Sequence, residues 1–198
     1  MANWRNTAER WGNIARILHW TIAVLIIGVF TAGLIMEDMA NGPDKYWTFM
    51  MHKSFGLLVI LLVICRLVWR LTNRKPRNLA SIPWHMNVAA EITHWALYAL
   101  MLAIPFSGWL VHSYANFPLN WFGIQGLAVP RLASLPASMG SDEVHELVEN
   151  TGELHGALAW LLMIVVAVHV AAALYHHFIR KDAVLARMTP FIREPKGS

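Results

Sequence analysis

The stretch GALAWLLMIVVAVHVAAALYHH, from Gly156 to His177, decides how the rest of the chain is read. It contains no Asp, Glu, Lys or Arg. It is long enough to cross the hydrocarbon core of a bilayer as a helix, which takes about 20 residues. Yet it carries His169 in its interior. An ionisable side chain inside such a span is costly and marks a functional site by default.

Working outward, this segment is one of four of the same kind. The expected spans are about 14–36 (core TIAVLIIGVFTAGLIM), 47–71 (core FGLLVILLVICRLVW), 89–112 and 154–179. The composition agrees, with 57% hydrophobic and 14% charged residues. Soluble domains run at about 45–50% apolar and about 25% charged. The expectation is an all-α integral membrane four-helix bundle, a single membrane domain over residues 1–198 with a long outer loop at about 113–153. The first span has no small-residue cleavage site, and its apolar run is too long for a signal-peptide core. It reads as a retained helix.

Basic residues orient the bundle, because they accumulate on the cytoplasmic side. Arg5, Arg10 and Arg16 precede the first span. Arg66, Arg70, Arg74, Lys75 and Arg77 lie at the second-to-third connection, and Arg180, Lys181, Arg187, Arg193 and Lys196 follow the fourth span. Only Lys45, Lys53 and Arg131 fall on the other side. Both termini are therefore expected in the cytoplasm. The net charge of +4 marks topology and not a nucleic-acid surface. The single cysteine, Cys65, excludes an internal disulfide and reads as a packing residue. In the outer loop Ser141 reads as a helix N-cap followed by Asp142 and Glu143, so the fourth helix is expected to begin outside the membrane.

Ten histidines are the unusual feature. His155 and His169 are fourteen residues apart, close to four turns and about 21 Å along one face of the fourth helix. His52 lies near the outer end of the second span, level with His155. His19 lies near the inner end of the first, level with His169. Two facing histidines from different helices are what a bis-histidine haem iron requires, and bundle interiors are where helical folds build cofactor sites. Small residues beside them, Gly56, Gly156 and Ala171 to Ala173, leave room for a macrocycle, though ordinary helix contacts in membranes use the same residues. Spacing alone leaves His94 open as the inner partner, since it also starts a span on the inner side.

Other polar residues sit near these pairs. Arg16, Arg66 and Arg70 at the inner end and Lys53 at the outer end are candidates for haem propionate contacts. The three arginines read more readily as topology anchors, and the alternative role for Lys53 is to attract an anionic substrate. His176, two turns after His169, is a candidate for a quinone site, whereas His177 points about 100° away. His85, His112 and His145 read as exposed, inert histidines. Glu146, Glu149 and Glu153 read as a solvated helix face. No catalytic triad, phosphate loop or paired-carboxylate pattern is present, so any catalysis is redox chemistry carried by a cofactor.

The segments RILHW, MMHKSFG, GELHGALAW and VHVAAALYHHFIRKD, in that order, resemble the bacterial cytochrome b561 family. The resemblance runs from about Trp11 to Pro190, and LARMTP closes it. It implies that His19, His52, His155 and His169 are the axial ligands of two non-covalent b haems, with His94 not a ligand. It also implies electron exchange with membrane ubiquinone in a bacterial inner membrane. Some members resemble superoxide oxidases, which reduce ubiquinone with electrons from superoxide. The outer segments here carry eight acidic residues against three basic ones, which suits a basic soluble redox protein better than an anion. Two alternatives use the same histidines: a haem-anchoring subunit of a larger oxidoreductase, and a metal-ion transporter. No intramembrane carboxylates accompany the histidines to support the transporter.

Overall fold

A computed structural model describes residues 3–117 and 119–189. Pro190, Arg193 and Lys196 lie outside the described residues. Four long helices are present: α1 (Asn13–Asp38), α2 (Pro43–Thr72), α3 (Trp84–Tyr114) and α4 (Ser141–Phe178). A short α5 (Val184–Met188) follows. All four long helices are long and apolar enough to span a membrane, and no strand occurs among the described residues. Their outer faces are apolar: Val24, Ile27, Leu61, Ile92, Trp160, Ile164 and Val168 are exposed. In water that much apolar surface drives association, whereas in a bilayer it faces lipid and the helices satisfy their own backbone. Cys65 lies on this exposed surface and not in the packing expected for it, because lipid solvates a small apolar side chain as well as a protein core does.

The helix limits follow local chemistry. Pro43 opens α2, where its missing N–H costs nothing and Asp44 complements the positive helix end. Pro105 lies inside α3, which continues through it. α4 starts well before the apolar stretch, but its cap is not Ser141. The first helical bond runs from the Val144 amide to the Gly140 carbonyl, so Gly140 is the cap. The Gly140 amide donates to the Glu143 carboxylate at 3.1 Å. That reach-back satisfies the cap amide without a serine.

The chain forms two compact units, and every long helix contributes a segment to each. One comprises Met1–Ile22, Leu62–Ala99 and Leu162–Ser198, and is called the terminal unit below. The other comprises Ala23–Leu61 and Leu100–Leu161, and is called the loop unit.

In the terminal unit, basic side chains bind the connections together. Arg187 donates to the Arg77 carbonyl at 2.8 Å, and Arg180 to the Ser81 carbonyl at 2.6 Å. The Trp20 indole donates to the Met188 carbonyl, and Glu91 pairs with both Arg70 and Lys75.

In the loop unit the long connection is fastened onto α2 and α3. Ser54 is fully buried. Its hydroxyl accepts from the Phe122 amide at 2.9 Å, and its carbonyl accepts from the Trp121 indole at 3.0 Å. Phe122 and Gly123 both have positive φ, 53° and 74°. A Cβ at Gly123 would lie 3.3 Å from the flexible end of Met50, so the conformation, more than the space, calls for glycine there. Further along, the Trp109 indole donates to the Pro130 carbonyl, and the Leu132 amide to the Ser113 hydroxyl.

Candidate functional site

The loop unit brings His52 and His155 together, with ring centres 6.1 Å apart and planes at 72°. Each ring is held from behind. His52 Nδ1 is 3.0 Å from the Val29 carbonyl. His155 Nδ1 is 2.9 Å from the Ile104 carbonyl and 3.0 Å from the Ser107 hydroxyl. A carbonyl only accepts, so each Nδ1 carries the proton and each Nε2 keeps its lone pair. Ligating histidines are fixed in this way by the bond their other nitrogen makes.

A glycine abuts each ring, and at Gly108 the space leaves no room for a larger residue. A Cβ at Gly108 would stand 3.0 Å from His155 Cε1, and one at Gly33 would stand 3.4 Å from His52 Cε1. By contrast, a Cβ at Gly56 or Gly156 would meet no atom within 4 Å.

The terminal unit brings His19 and His169 together, with ring centres 6.2 Å apart and planes at 71°. His94 is also present, at 5.4 Å from His169.

These distances test the fit of an iron. A metal–imidazole bond is about 2 Å, and the ring centre lies about 1 Å beyond the ligating nitrogen, so two axial imidazoles have centres about 6 Å apart. Both His52/His155 and His19/His169 meet that span. His94 and His169 lie closer together than either pair. Among the described residues no group of three or more His, Cys, Asp or Glu is arranged to hold a metal ion.

The expected propionate contacts differ in what already occupies them. Arg16 Nε is buried and makes no hydrogen bond. Arg66 donates through Nη1 to the Ala15 carbonyl at 2.9 Å and through Nε to the Tyr98 hydroxyl at 3.1 Å. Arg70 is bonded to Glu91 at 2.6 Å and lies over the rings of Trp95 and Tyr98. Lys53 places its ammonium over Phe49 and Phe117, at 5.7 and 5.9 Å.

His176 does not stand alone. Its Nδ1 lies 2.6 Å from a carboxylate oxygen of Asp182, which is buried. Asp182 also accepts from the Val184 amide and sits 3.6 Å from Arg180 Nε. His112, expected to be exposed, is 2% accessible, with Nδ1 lacking a hydrogen bond. The reason is that the 130–132 segment is pinned across the end of α3 beside it. His85 and His145 are exposed as expected.

Ser107, Gly108, Gly33 and Asp182 carry roles that reading the sequence missed. The only prior signal was a glycine inside each of two apolar helices.

Four apolar helices with two histidine pairs, one of them anchored to backbone carbonyls, define a class: an integral membrane haem protein that carries electrons. Residues 10–191 match the family described as prokaryotic cytochrome b561. The chain is 33% identical to cytochrome b561 homolog 2 of Escherichia coli K12 over 184 residues, covering 92% of this chain and 93% of that protein. It is 28% identical to a probable superoxide oxidase, CybB, of Yersinia pestis over 176 residues, 87% and 92% of the two chains. It is 27% identical to cytochrome b561 homolog 1 of Escherichia coli K12 over 175 residues, 87% and 93%. The chain belongs to the prokaryotic cytochrome b561 family.

Proposed function

We propose that the protein holds two b-type haems and moves single electrons across a bacterial inner membrane, between a donor at the loop end and ubiquinone, with both termini cytoplasmic. One observation carries this reading: two histidine pairs, each from two different helices, with ring centres one iron's span apart. We assign His52 and His155 to one haem and His19 and His169 to the other. The haem, when bound, supplies a one-electron couple tuned by its ligands and their hydrogen bonds.

The chain's own residues do the rest. Val29, Ile104 and Ser107 fix the imidazoles of the loop-unit pair. Arg16, with an uncommitted buried donor, is assigned as a propionate contact. Arg66 and Lys53 are the further candidates. Arg70 is assigned to holding α2 against α3, since Glu91 already takes its charge.

At the terminal end we assign His176 to the quinone. Asp182 holds its Nδ1 and so fixes the ring. That leaves Nε2 as the ring nitrogen open to the quinone. The thirteen basic residues on the terminal side support its assignment to the cytoplasm.

For the donor we propose superoxide, the substrate class named in one relative, with a soluble redox protein as the competing choice. The loop side is acidic overall, but Lys53 and Arg131 are ion-paired to no carboxylate among the described residues, which leaves local positive charge there. A haem-anchoring role in a larger oxidoreductase uses the same parts. The metal-ion transporter lacks a multi-ligand cluster among the described residues.

The test is a reduced-minus-oxidised absorption spectrum of the purified chain, followed by mixing with superoxide and a ubiquinone analogue. Haem b bands, with quinol formed in proportion to superoxide consumed, are expected. A spectrum without haem bands rejects the reading. Haem bands with quinone reduced only in the presence of another subunit favour the anchoring role.

A further inference from the structure

Each long helix presents two notable residues fourteen positions apart, close to four turns on one face. They are His19 and Gly33 on α1, His52 and Arg66 on α2, His94 and Gly108 on α3, and His155 and His169 on α4. Sorted by unit, the loop unit takes Gly33, His52, Gly108 and His155. The terminal unit takes His19, Arg66, His94 and His169. In the loop unit the two positions beside the histidine pair are glycines that abut the rings. In the terminal unit the same two positions are an arginine and a third histidine. The two sites are thus alike in their paired histidines and unlike in the charge beside them.

Arg66 is fixed and uncancelled. Its two protein hydrogen bonds go to neutral acceptors. Ala15 is one turn before His19, and Tyr98 is one turn after His94. The guanidinium is therefore held among the helix turns that carry the terminal-unit histidines. Arg66 forms no ion pair among the described residues, whereas Arg70, one turn further along, shares Glu91 with Lys75. In the loop unit, Lys53 follows His52 directly. Consecutive helical residues point about 100° apart, and its ammonium rests over Phe49 and Phe117 instead.

We propose that Arg66 is the positioning residue that makes the terminal-unit haem the better electron acceptor of the two. A fixed positive charge in a low-dielectric site favours the redox state with one electron more. The loop unit's nearest cation, Lys53, is turned away onto Phe49 and Phe117, so the electron's equilibrium position lies toward the terminal side, where we place the quinone. This inference rests on the two-haem reading above.

The experiment is a potentiometric titration, read by haem absorption, of wild type and of Arg66→Gln, Arg66→Lys and Tyr98→Glu, with haem content measured first. His52→Ala, which leaves the terminal-unit haem alone, identifies its signal. Arg66→Gln is expected to lower that haem's reduction equilibrium at least tenfold, which is 59 mV for one electron, with the other haem unmoved. Arg66→Lys keeps the charge and most of the potential. Tyr98→Glu leaves Arg66 in place but pairs its charge, and lowers the potential as the glutamine does. It decides the matter should Arg66→Gln fail to load haem. An unchanged potential in a fully loaded Arg66→Gln or Tyr98→Glu protein overturns the proposal. So does an Arg66→Lys protein as low as Arg66→Gln. A wild type holding fewer than two haems sinks the two-haem reading itself.

Discussion

At the scale of single residues, the histidines were legible and their supports were not. A histidine in an apolar run announces itself because lipid makes it expensive. Gly108 and Ser107 announce nothing, since glycine and serine are ordinary at helix contacts in membranes. Their meaning appears only once α3 and α4 are packed, with a Gly108 Cβ position 3.0 Å from the His155 ring. Asp182 was quoted within a longer motif, but its partnership with His176 depends on the chain turning back after α4. The glycine contact is open to test. Gly108→Val forces a branched side chain into the His155 ring and is expected to remove the loop-unit haem while sparing the other. The readout is haem per chain, expected to fall from two to one, with α-helix content unchanged by circular dichroism. Ser107→Ala leaves the Ile104 carbonyl as a partner for Nδ1 and is expected to retain both haems.

At the scale of elements, the four spans could be read because about 20 apolar residues have few other uses. Their ends were harder. Amphipathic first turns such as Pro43 to Trp47 and Ser141 to Glu153 carry charge, so hydropathy stops short of where the helix does. Pro105 left α3 unbroken, as membrane helices allow when neighbours satisfy the freed groups. Separately, the Ile104 carbonyl, which precedes the proline, accepts from both Ser107 and His155. The fold of the 115–140 connection was not legible at all. It depends on Ser54, one small buried residue on another helix that anchors the Trp121–Phe122 turn by two bonds. Ser54→Ala leaves the Phe122 amide without its acceptor, a loss of about 1–3 kcal/mol for a buried donor. The expected result is faster proteolytic cleavage within 115–140 and a lower melting temperature. Cleavage at the wild-type rate would show that the anchor is not what holds this connection.

At the scale of the whole molecule, the class was legible from pattern, and the partners of the electron are a matter of local charge. Counting charges put eight acidic residues on the loop side, against an anionic donor. The fold qualifies that count, since Lys53 and Arg131 carry no carboxylate partner among the described residues. The terminal side, rich in basic residues, spends several of them binding its own connections through Arg180, Arg187 and the Glu91 pair.

Every part of the functional account depends on which histidines hold iron, and haem stoichiometry measures that most directly. The measurement is haem per chain in wild type, in single alanine variants of His19, His52, His155 and His169, and in His94→Ala. The account predicts two haems in wild type, one in each of the four ligand variants, and two in His94→Ala. A His169→Ala protein that keeps two haems, together with a His94→Ala protein that keeps one, would contradict it.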